Sequence, residues 1–471
     1  MASQIRFGTD GWRAIIAQDF TFANVSRCIQ GLVDYLRDKG IADRGLVVGY
    51  DTRFLSREFA ETVACVCAGN GVRAWLTREA APTPVVSYSV LDRQAAGAAI
   101  ITASHNPGIW NGFKFKPEYA GSATDEITGR LEDKIDRVAE PNAVSLVEGR
   151  DRGLIIDFDP KPPYLERIES LVDLPSIRAA GLDVIVDSMF GAGAGYIDEV
   201  VSGGNTKVTE MNGYRNPAFP GMDQPEPISH NLSGLMERVP AEGASVGIAL
   251  DGDADRVGIV DEKGNFISTL EVFSLLAYYL LEYKGMRGPL VKGITSSIML
   301  NKLAEKYGVE VHDMPVGFKH IGPKFSEVDG IMGGEESGGF AFRGHIPERD
   351  GILSGLYILE FMARTGKTPS RLIQDLFAMV GPHLYRRRDV AFDAGNRSDI
   401  QARIRSAELT EVGGLKVRDY DEIDGKRLFF DKAWLATRFS GTEPLLRIYC
   451  EAESPELVDK LLDAASEYLG V

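Results

Sequence analysis

Three carboxylates stand at alternate positions in one short segment, residues 251–256 with the sequence DGDADR. Runs rich in β-branched residues flank it, so we expect a tight turn between two strands. Asp251, Asp253 and Asp255 can then point toward one hard cation, and oxygen ligands of this kind suit Mg²⁺. An EF-hand calcium loop is disfavoured, because its sixth position is Arg256 instead of glycine and flanking helices are missing. Taken alone, the segment could also be a solvated acidic turn.

A serine follows an apolar strand in residues 102–107, TASHNP, and NGFK comes shortly after at residues 111–114. Open α/β sheets bind ligands beyond the carboxyl ends of their strands, which is where Ser104 would lie. Its hydroxyl needs a base or a metal to become a nucleophile. The small neighbouring residues and Pro107 predict a rigid loop that exposes the serine. Lys114, which follows soon after, could also lie at this site as a cation or proton carrier. Alone, Ser104 could equally be a turn residue.

Two further loops could bind a phosphorylated sugar. Residues 334–339, GEESGG, follow a strand and carry acceptors and a hydroxyl, which suit sugar hydroxyls better than phosphate. A flexible acidic turn is an equal alternative for that loop. Residues 438–444, RFSGTEP, and Arg447 combine two guanidinium groups, hydroxyls and backbone N–H groups near a glycine. Such a set is typical of a phosphate cradle, although surface ion pairing would explain either arginine by itself.

The elements that position these loops alternate between short β-branched runs and helical patterns, which indicates repeated βαβ units. The tail from about residue 383 instead has several strands and a terminal helix, an α+β pattern. Residues 149–163 look like a boundary. We expect strands at residues 46–50, 99–102, 182–187, 246–250, 257–261, 290–294, 309–314, 330–334, 415–420, 427–430, 433–437 and 446–451, and helices at 57–68, 297–307, after 350 and at 455–469.

The whole chain sets broad limits on function. Its 471 residues are too many for one core, so three or four domains are expected. A formal net charge of −16 argues against partners such as nucleic acid or an anionic membrane. Apolar runs of signal-peptide or membrane-span length are missing, so a cytoplasmic protein is expected. The four cysteines fit no zinc spacing and are interpreted as buried, reduced thiols.

Two glycine-containing segments resemble nucleotide loops but are interpreted otherwise. After Phe190 the run GAGAGY follows a strand, yet Tyr196 stands where a dinucleotide loop needs its third glycine. Close backbone packing is the better explanation of that run. The triplet GKT at residues 366–368 follows a helix, and Phe361 replaces the first glycine of a P-loop. Neither segment predicts a nucleotide site.

Taken together, the four loops resemble those of the α-D-phosphohexomutases, whose members carry TASHNP, DGDxDR, GExSG and RxSGTEP in this order. The resemblance covers nearly the whole chain. Residues 8–13, GTDGWR, are similar to the family's GTSGxR opening, with Asp10 in place of serine, and residues 50–56 fit its DxRxxS stretch. The resemblance implies three related α/β domains and a C-terminal α+β, TATA-binding-protein-like domain around a central cleft. The expected domains are residues 1–152, 153–262, 263–376 and 377–471.

The resemblance also implies residue roles. Ser104 would carry the phosphoryl group, and together with the three aspartates it would bind Mg²⁺. Arg13, His105 and Lys114 would lie near the transferring phosphate, with Lys114 a candidate general acid or base. The residues expected to bind the sugar are Arg256, Lys319, Glu335, Ser337 and His345. The residues expected to bind the other phosphate are Arg438, Ser440, Gly441, Thr442 and Arg447.

The implied reaction interconverts glucose 1-phosphate and glucose 6-phosphate through a bound glucose 1,6-bisphosphate, which also serves as activator. Several family members that accept mannose close the sugar loop with histidine, as GEMSGH, whereas this chain has Gly339. Residues 344–351, GHIPERDG, are similar to the DHIREKDG run of dedicated phosphoglucomutases. Glucosamine-phosphate mutases usually carry glutamine in the sugar loop, which disfavours that substrate.

Alternatives remain open at this point. The enzyme could act on both glucose and mannose phosphates, and a non-catalytic sugar-phosphate sensor is a less favoured possibility. A metal-dependent phosphatase lacks support, because the six histidines supply no second metal site. The expected partner is a small hexose phosphate, and the protein would be a monomer or a homodimer.

Overall fold

The computed structural model describes residues 5–406, 410–439 and 445–471 of the chain. It contains four main sheets, each with its own helices. Among the described residues, no helix is long and apolar enough to cross a membrane.

The first unit is a six-stranded mixed sheet covered by helices. Its strands are β1 (Trp12–Ile15), β2 (Leu46–Tyr50), β3 (Ala74–Thr77), β4 (Gly97–Ile101), β5 (Trp110–Pro117) and β6 (Ile155–Phe158). Its helices are α1 (Phe22–Asp38), α2 (Ser56–Gly69), α3 (Thr83–Asp92), α4 (Asp125–Asp136) and α5 (Leu146–Asp151). The strand order is β1-β5-β4-β2-β3-β6, with β4, β2, β3 and β6 parallel. Strands β2 and β4 are buried along their whole length, because helices cover both faces of the sheet.

The second unit repeats this plan with five strands. They are β7 (Asp183–Asp187), β8 (Lys207–Met211), β9 (Val246–Leu250), β10 (Val257–Val260) and β11 (Phe266–Ile267). The helices are α6 (Lys161–Leu171), α7 (Leu174–Ala179), α8 (Tyr196–Val201) and α9 (Ser233–Glu242). The order is β11-β10-β9-β7-β8, with β9, β7 and β8 parallel.

The third unit has a smaller sheet and a large buried helix. Its strands are β12 (Leu290–Gly293), β13 (Val311–Met314), β14 (Met332–Gly334) and β15 (Phe340–Phe342), in the order β13-β12-β14-β15. Its helices are α10 (Thr269–Tyr278), α11 (Met299–Tyr307), α12 (Phe318–Glu327), α13 (Gly351–Thr365) and α14 (Pro369–Val380). A π-helical turn, Tyr279–Tyr283, continues α10. Helix α13 is apolar nearly all round, and one continuous core joins the second and third units through it.

The fourth unit is an antiparallel sheet covered by a terminal helix. Its strands are β16 (Leu384–Ala391), β17 (Glu411–Val412), β18 (Leu415–Lys416), β19 (Asp419–Asp421), β20 (Lys426–Phe429), β21 (Ala433–Phe439) and β22 (Leu445–Ala452). Its helices are α15 (Arg397–Ser406) and α16 (Pro455–Leu469). The sheet order is β16-β22-β21-β20-β19, while β17 and β18 form a hairpin. The predicted change from α/β to α+β is therefore confirmed.

Some predicted elements need correction. Residues 415–420 form two short strands, β18 and β19, instead of one. The eight-residue strand β16 was not expected, because its LYRRRDVA sequence carries three consecutive arginines and resembles a loop. The stretch 149–163 is not only a linker, since β6 within it pairs with β3 and extends the first sheet to residue 158. Strand β11 likewise extends the second sheet past the limit expected at residue 262.

Each α/β unit presents one loop between a parallel strand and an antiparallel neighbour. The serine loop (residues 102–109) joins β4 to β5, the metal loop (251–256) joins β9 to β10, and the sugar loop (335–339) joins β14 to β15. The common topology explains how three chemically different loops converge, although their sequences show no repeat.

Candidate functional site

The serine and metal loops meet in a hydrogen bond between the first and second units. Ser104 is buried, and its Oγ donates to Oδ2 of Asp251 at 3.0 Å. The backbone N–H of Ser104 donates to Thr102 Oγ1 at 2.8 Å. Ser104 has φ 52°, a left-handed conformation that non-glycine residues seldom adopt and that often marks a functional position.

His105 lies next to the serine hydroxyl, with Nδ1 at 3.3 Å from Ser104 Oγ. Burial lowers the pKa of this imidazole well below its usual range, and the positive charges of Arg256 and Arg13 lower it further. The ring is therefore neutral at pH 7 and can accept or donate one hydrogen bond at each nitrogen, according to its tautomer. Arg13 is held beside the same loop, since its Nη1 donates to Asn106 Oδ1 at 2.6 Å.

The three aspartates of the metal loop form a compact buried cluster, as the sequence predicted. One oxygen from each of Asp251, Asp253 and Asp255 lies within 4.8 Å of the others. Within the described part of the chain, Oδ1 of Asp253 and Oδ1 of Asp255 have no hydrogen-bond partner. Burial, followed by repulsion from the other two carboxylates, raises the pKa of Asp251 well above its usual range. Unpartnered buried carboxylate oxygens are costly, and a divalent cation would satisfy them. The residues present therefore fit a Mg²⁺ site.

Lys114 reaches the metal loop from β5. Its Nζ lies 2.8 Å from Asp253 Oδ2, 3.3 Å from Asp255 Oδ2 and 2.9 Å from Asp10 Oδ2. Burial by itself disfavours the ammonium, but the three carboxylates outweigh burial and raise the pKa of Lys114. The structure thus brings Lys114 to the cluster.

A second buried network, which sequence reasoning missed, extends the site toward the third unit. Asp10 contacts Lys116 at 2.8 Å and Arg349 at 2.6 Å, and Lys116 contacts Glu348 at 2.6 Å. Arg349 also lies 3.0 Å from Asp255 and 3.6 Å from Glu335 of the sugar loop. The signal was present in the sequence, since Asp10 departs from the family opening and Glu348 and Arg349 belong to the HIPERDG run.

Gly339, the last residue of the sugar loop, lies directly against Arg349. A Cβ at Gly339 would come within 2.4 Å of Arg349 Cδ and 2.7 Å of its Cγ. The side chain of Arg349 thus fills the space that a larger residue at position 339 would need.

The glycine run after Phe190 packs beneath the metal loop, in agreement with its interpretation as backbone packing. The N–H of Ala192 donates to the carbonyl of Gly252 at 3.0 Å. A Cβ at Gly191 would lie 2.8 Å from that carbonyl oxygen and 2.9 Å from the carbonyl oxygen of Asp251. The run therefore supports the metal loop from below.

Three expected sugar-binding residues have protein partners in the structure. Arg256 Nη1 lies 2.8 Å from Glu226 Oε1, and Lys319 Nζ lies 2.5 Å from Asp125 Oδ1. His345 is buried, with Nε2 2.9 Å from Asp350 Oδ2, and its ring stacks on Tyr88 at 5.8 Å between centroids. Sugar contacts by these residues, and by Glu335 and Ser337, remain predictions.

The fourth unit places two expected phosphate-binding arginines side by side. Arg438 on β21 is paired in register with Arg447 on β22. Like charges directly opposite on neighbouring strands repel, and an anion between them would relieve that repulsion. Arg438 Nε contacts Asp424 Oδ2 at 2.8 Å, and the same oxygen accepts from the N–H of Val316 in the third unit at 3.0 Å. Ser440, Gly441 and Thr442 lie outside the described residues.

Comparison with known proteins gives four consecutive matches to phosphoglucomutase/phosphomannomutase domain models. Domain I matches residues 4–142, domain II residues 162–264, domain III residues 270–380, and the C-terminal domain residues 398–467. The chain belongs to the α-D-phosphohexomutase family. The expected fold class is confirmed with it: three α/β domains followed by a distinct C-terminal domain.

Individual phosphohexomutases similar to this chain carry different substrate names. A phosphoglucomutase/phosphomannomutase of Thermococcus kodakarensis is 32% identical over 464 residues and is covered to 98%, as is this chain. A probable phosphoglucosamine mutase of Methanothermobacter thermautotrophicus is 30% identical, with 98% of this chain and 97% of that protein covered. The crystal structure of a candidate phosphomannomutase from Thermus thermophilus superposes with a TM-score of 0.87 at 35% identity, over 100% of both chains.

Proposed function

We propose that this phosphohexomutase interconverts glucose 1-phosphate and glucose 6-phosphate, with Ser104 as the residue that carries the phosphoryl group. The observation that supports this most directly is the junction of the serine and metal loops. There the Ser104 hydroxyl and the Lys114 ammonium meet the buried oxygens of Asp253 and Asp255 that have no hydrogen-bond partner among the described residues.

In this proposal, phosphorylated Ser104 gives its phosphoryl group to the free hydroxyl of the hexose phosphate. Mg²⁺ bound by Asp251, Asp253 and Asp255 would supply Lewis acidity and offset negative charge on the transferring group. Arg13 would hold the phosphoryl oxygens. Lys114, held as an ammonium by its three carboxylate neighbours, would act as a cation or a general acid beside the transferring group, and the proton of the attacking hydroxyl would end on the freed Ser104 oxygen. Burial of the site excludes water, which would otherwise hydrolyse the phosphoserine.

The product of the first transfer is a hexose 1,6-bisphosphate, which must turn over before Ser104 takes back the other phosphate. Glu335 and Ser337 would hold sugar hydroxyls in either orientation. Arg438 and Arg447, on a separate C-terminal domain, would hold whichever phosphate is not reacting. A pair of arginines for the second phosphate on a separate domain suits this reaction, because the two ends of the substrate exchange places.

The preference for glucose is the finer part of the proposal. Arg349 occupies the space that a side chain at position 339 would need, and Gly339 stands where mannose-accepting members have histidine. Residues 344–351, GHIPERDG, also resemble the run in dedicated phosphoglucomutases. Enzymes similar to this chain carry phosphoglucomutase, phosphomannomutase and phosphoglucosamine mutase names, so the alternative of dual activity on glucose and mannose phosphates stays in the test.

The first experiment replaces the proposed phosphoryl carrier. Ser104→Ala should abolish mutase turnover and labelling from glucose 1,6-bisphosphate, with thermal unfolding close to wild type. Ser89→Ala is a matched control, since Ser89 is also buried but donates only to a carbonyl within helix α3. Normal turnover by the folded Ser104→Ala protein would refute the proposal.

The second experiment separates substrates and reaction classes. Glucose, mannose and glucosamine 1-phosphates are assayed side by side with bisphosphate activator, and both 6-phosphate product and free phosphate are measured. We expect the highest kcat/KM for glucose 1-phosphate and little free phosphate. Equal values for mannose would establish the dual-specificity alternative, while release of phosphate without isomerisation would indicate a phosphatase.

A further inference from the structure

Arg53 lies beneath the serine loop with its side chain fully buried. We infer that Arg53 is a positioning residue for phosphoryl transfer, because it fixes the backbone that presents the Ser104 hydroxyl. This inference rests on the proposed role of Ser104.

Four backbone carbonyl groups, three in the serine loop and one at the start of β5, accept hydrogen bonds from the guanidinium of Arg53. Nη2 of Arg53 donates to the carbonyls of Ser104 at 2.6 Å and Asn106 at 2.5 Å. Nη1 donates to the carbonyls of Pro107 at 2.9 Å and Trp110 at 3.1 Å. A planar guanidinium offers its N–H groups in a fixed fork. A lysine ammonium has only three donors around one atom, so it cannot satisfy all four carbonyls.

The guanidinium is itself locked in place. Asp51 Oδ2 lies 3.1 Å from Arg53 Nε, and Asp51 Oδ1 accepts from the backbone N–H of Arg53 at 3.0 Å and from Ser56 Oγ at 2.7 Å. The ring of Phe219 lies 5.0 Å from the guanidinium carbon on another side. Asp51 balances the buried charge, and the surrounding contacts restrict movement of the side chain.

The held segment includes the residue whose conformation decides the chemistry. Ser104 has φ 52°, and this backbone conformation directs its Oγ to Asp251 at 3.0 Å. A left-handed conformation at a non-glycine residue persists only where surrounding contacts enforce it. The bond from Arg53 to the Ser104 carbonyl is such a contact, since it fixes the peptide plane that follows the serine.

The test is Arg53→Lys, which keeps the positive charge but loses the fork. We expect kcat, and the rate at which bisphosphate phosphorylates Ser104, to fall by about 100-fold, as a misplacement of roughly 1 Å would cause. KM for the hexose phosphate should change little, because Arg53 contacts backbone and not substrate. Arg44→Lys is the matched control. Arg44 also donates to two carbonyls, those of Gln94 at 2.9 Å and Ala95 at 3.0 Å. Arg44 precedes the amino end of β2, whereas the serine loop lies at the other end of that strand.

A folded Arg53→Lys protein with wild-type kcat, or with a loss confined to KM, would overturn the inference. If Arg53→Lys does not fold, Asp51→Asn is the second variant, because it removes the charge that holds the guanidinium while its hydrogen bonds to the serine loop stay possible. In Asp51→Asn, an unchanged kcat would overturn the inference, and a reduced kcat with unchanged KM would support it. Ser104→Ala keeps the two proposals apart. An active Ser104→Ala protein refutes the proposed function, whereas an inactive one beside fully active Arg53→Lys refutes only the role of Arg53.

Discussion

Replacing Gly252 with alanine should force the serine loop and the metal loop apart. A Cβ at Gly252 would lie 2.5 Å from the carbonyl oxygen of Ser104 and 3.2 Å from Cγ of Pro225. Cβ atoms essentially never approach other atoms closer than 3.0 Å, so a loop must move by at least about 0.5 Å. The backbone at Gly252 does not have positive φ, and the effect therefore comes from this contact alone.

The magnitude follows from how firmly both sides are held. The Ser104 carbonyl is already bonded to Arg53 at 2.6 Å, so it cannot retreat without stretching that bond. Overpacking a close contact typically costs about 1–3 kcal/mol of stability. A displacement of about half an ångström to one ångström between reacting groups reduces turnover by roughly 10- to 100-fold. We expect both effects in Gly252→Ala.

Steady-state kinetics with glucose 1-phosphate and urea unfolding measure the two effects on the same preparation. Gly129→Ala is the control, because Gly129 lies within helix α4 and, apart from the adjoining residues and backbone of that helix, no atom of the described residues lies within 4 Å of the position its Cβ would take. That change should leave kcat unaltered and stabilise the protein by about 0.5–1 kcal/mol. Wild-type kcat in Gly252→Ala would show that the close approach of the two loops does not govern catalysis.

Three further outcomes are expected. Mg²⁺ at 100 times its Kd should stabilise the wild-type protein by about 2.7 kcal/mol, and Asp251→Asn should lose most of that gain in thermal unfolding; an equal gain in both proteins would place the cation elsewhere. Lys116→Met should lower the free energy of unfolding in urea by about 3–5 kcal/mol, because Asp10 and Glu348 lose a buried partner. Adding Glu348→Gln should recover part of this loss, and strictly additive losses would contradict the network. A thiol-reactive chromophore should label Cys65 slowly and leave the three buried cysteines unlabelled until the protein unfolds. Burial makes these thiols inaccessible and less acidic, and it raises the pKa of the Cys67 thiol to about 12. Rapid labelling of more than one thiol in the folded protein would contradict this burial. The buried cysteines are Cys28, Cys67 and Cys450, whereas Cys65, which was expected to be buried with them, is only partly buried.

Much of the fold was predictable because local pattern and final environment agree. The strands at residues 46–50 and 246–250 and the helix at 455–469 match β2, β9 and α16 residue for residue. The two strands are short apolar runs, and the helix is an amphipathic segment that begins after the capping residue Ser454 and ends before Gly470. Elements that depend on their neighbours were missed or misplaced: β6 and β11 are short edge strands, and β16 carries its arginines on a half-exposed surface.

The sequence by itself singled out the principal groups of the candidate site. Ser104, the three aspartates and Lys114 could be singled out because their types and spacing within continuous loops carry the signal, and the structure brings them together. The sequence also showed that Gly339 departs from the GEMSGH form of the sugar loop. It did not show that the side chain of Arg349 occupies the space beside Gly339.

Only the tertiary structure decided which distant groups complete the site. Asp10 and Arg349 are 339 positions apart in the chain yet lie 2.6 Å apart, and Arg53 contacts four carbonyls more than fifty positions away. Contacts of this kind arise where separate elements and sheets pack against one another, and no local pattern of residues records them. The sequence therefore indicated which groups we propose to react, whereas tertiary packing decided how those groups are oriented and how their charges are balanced.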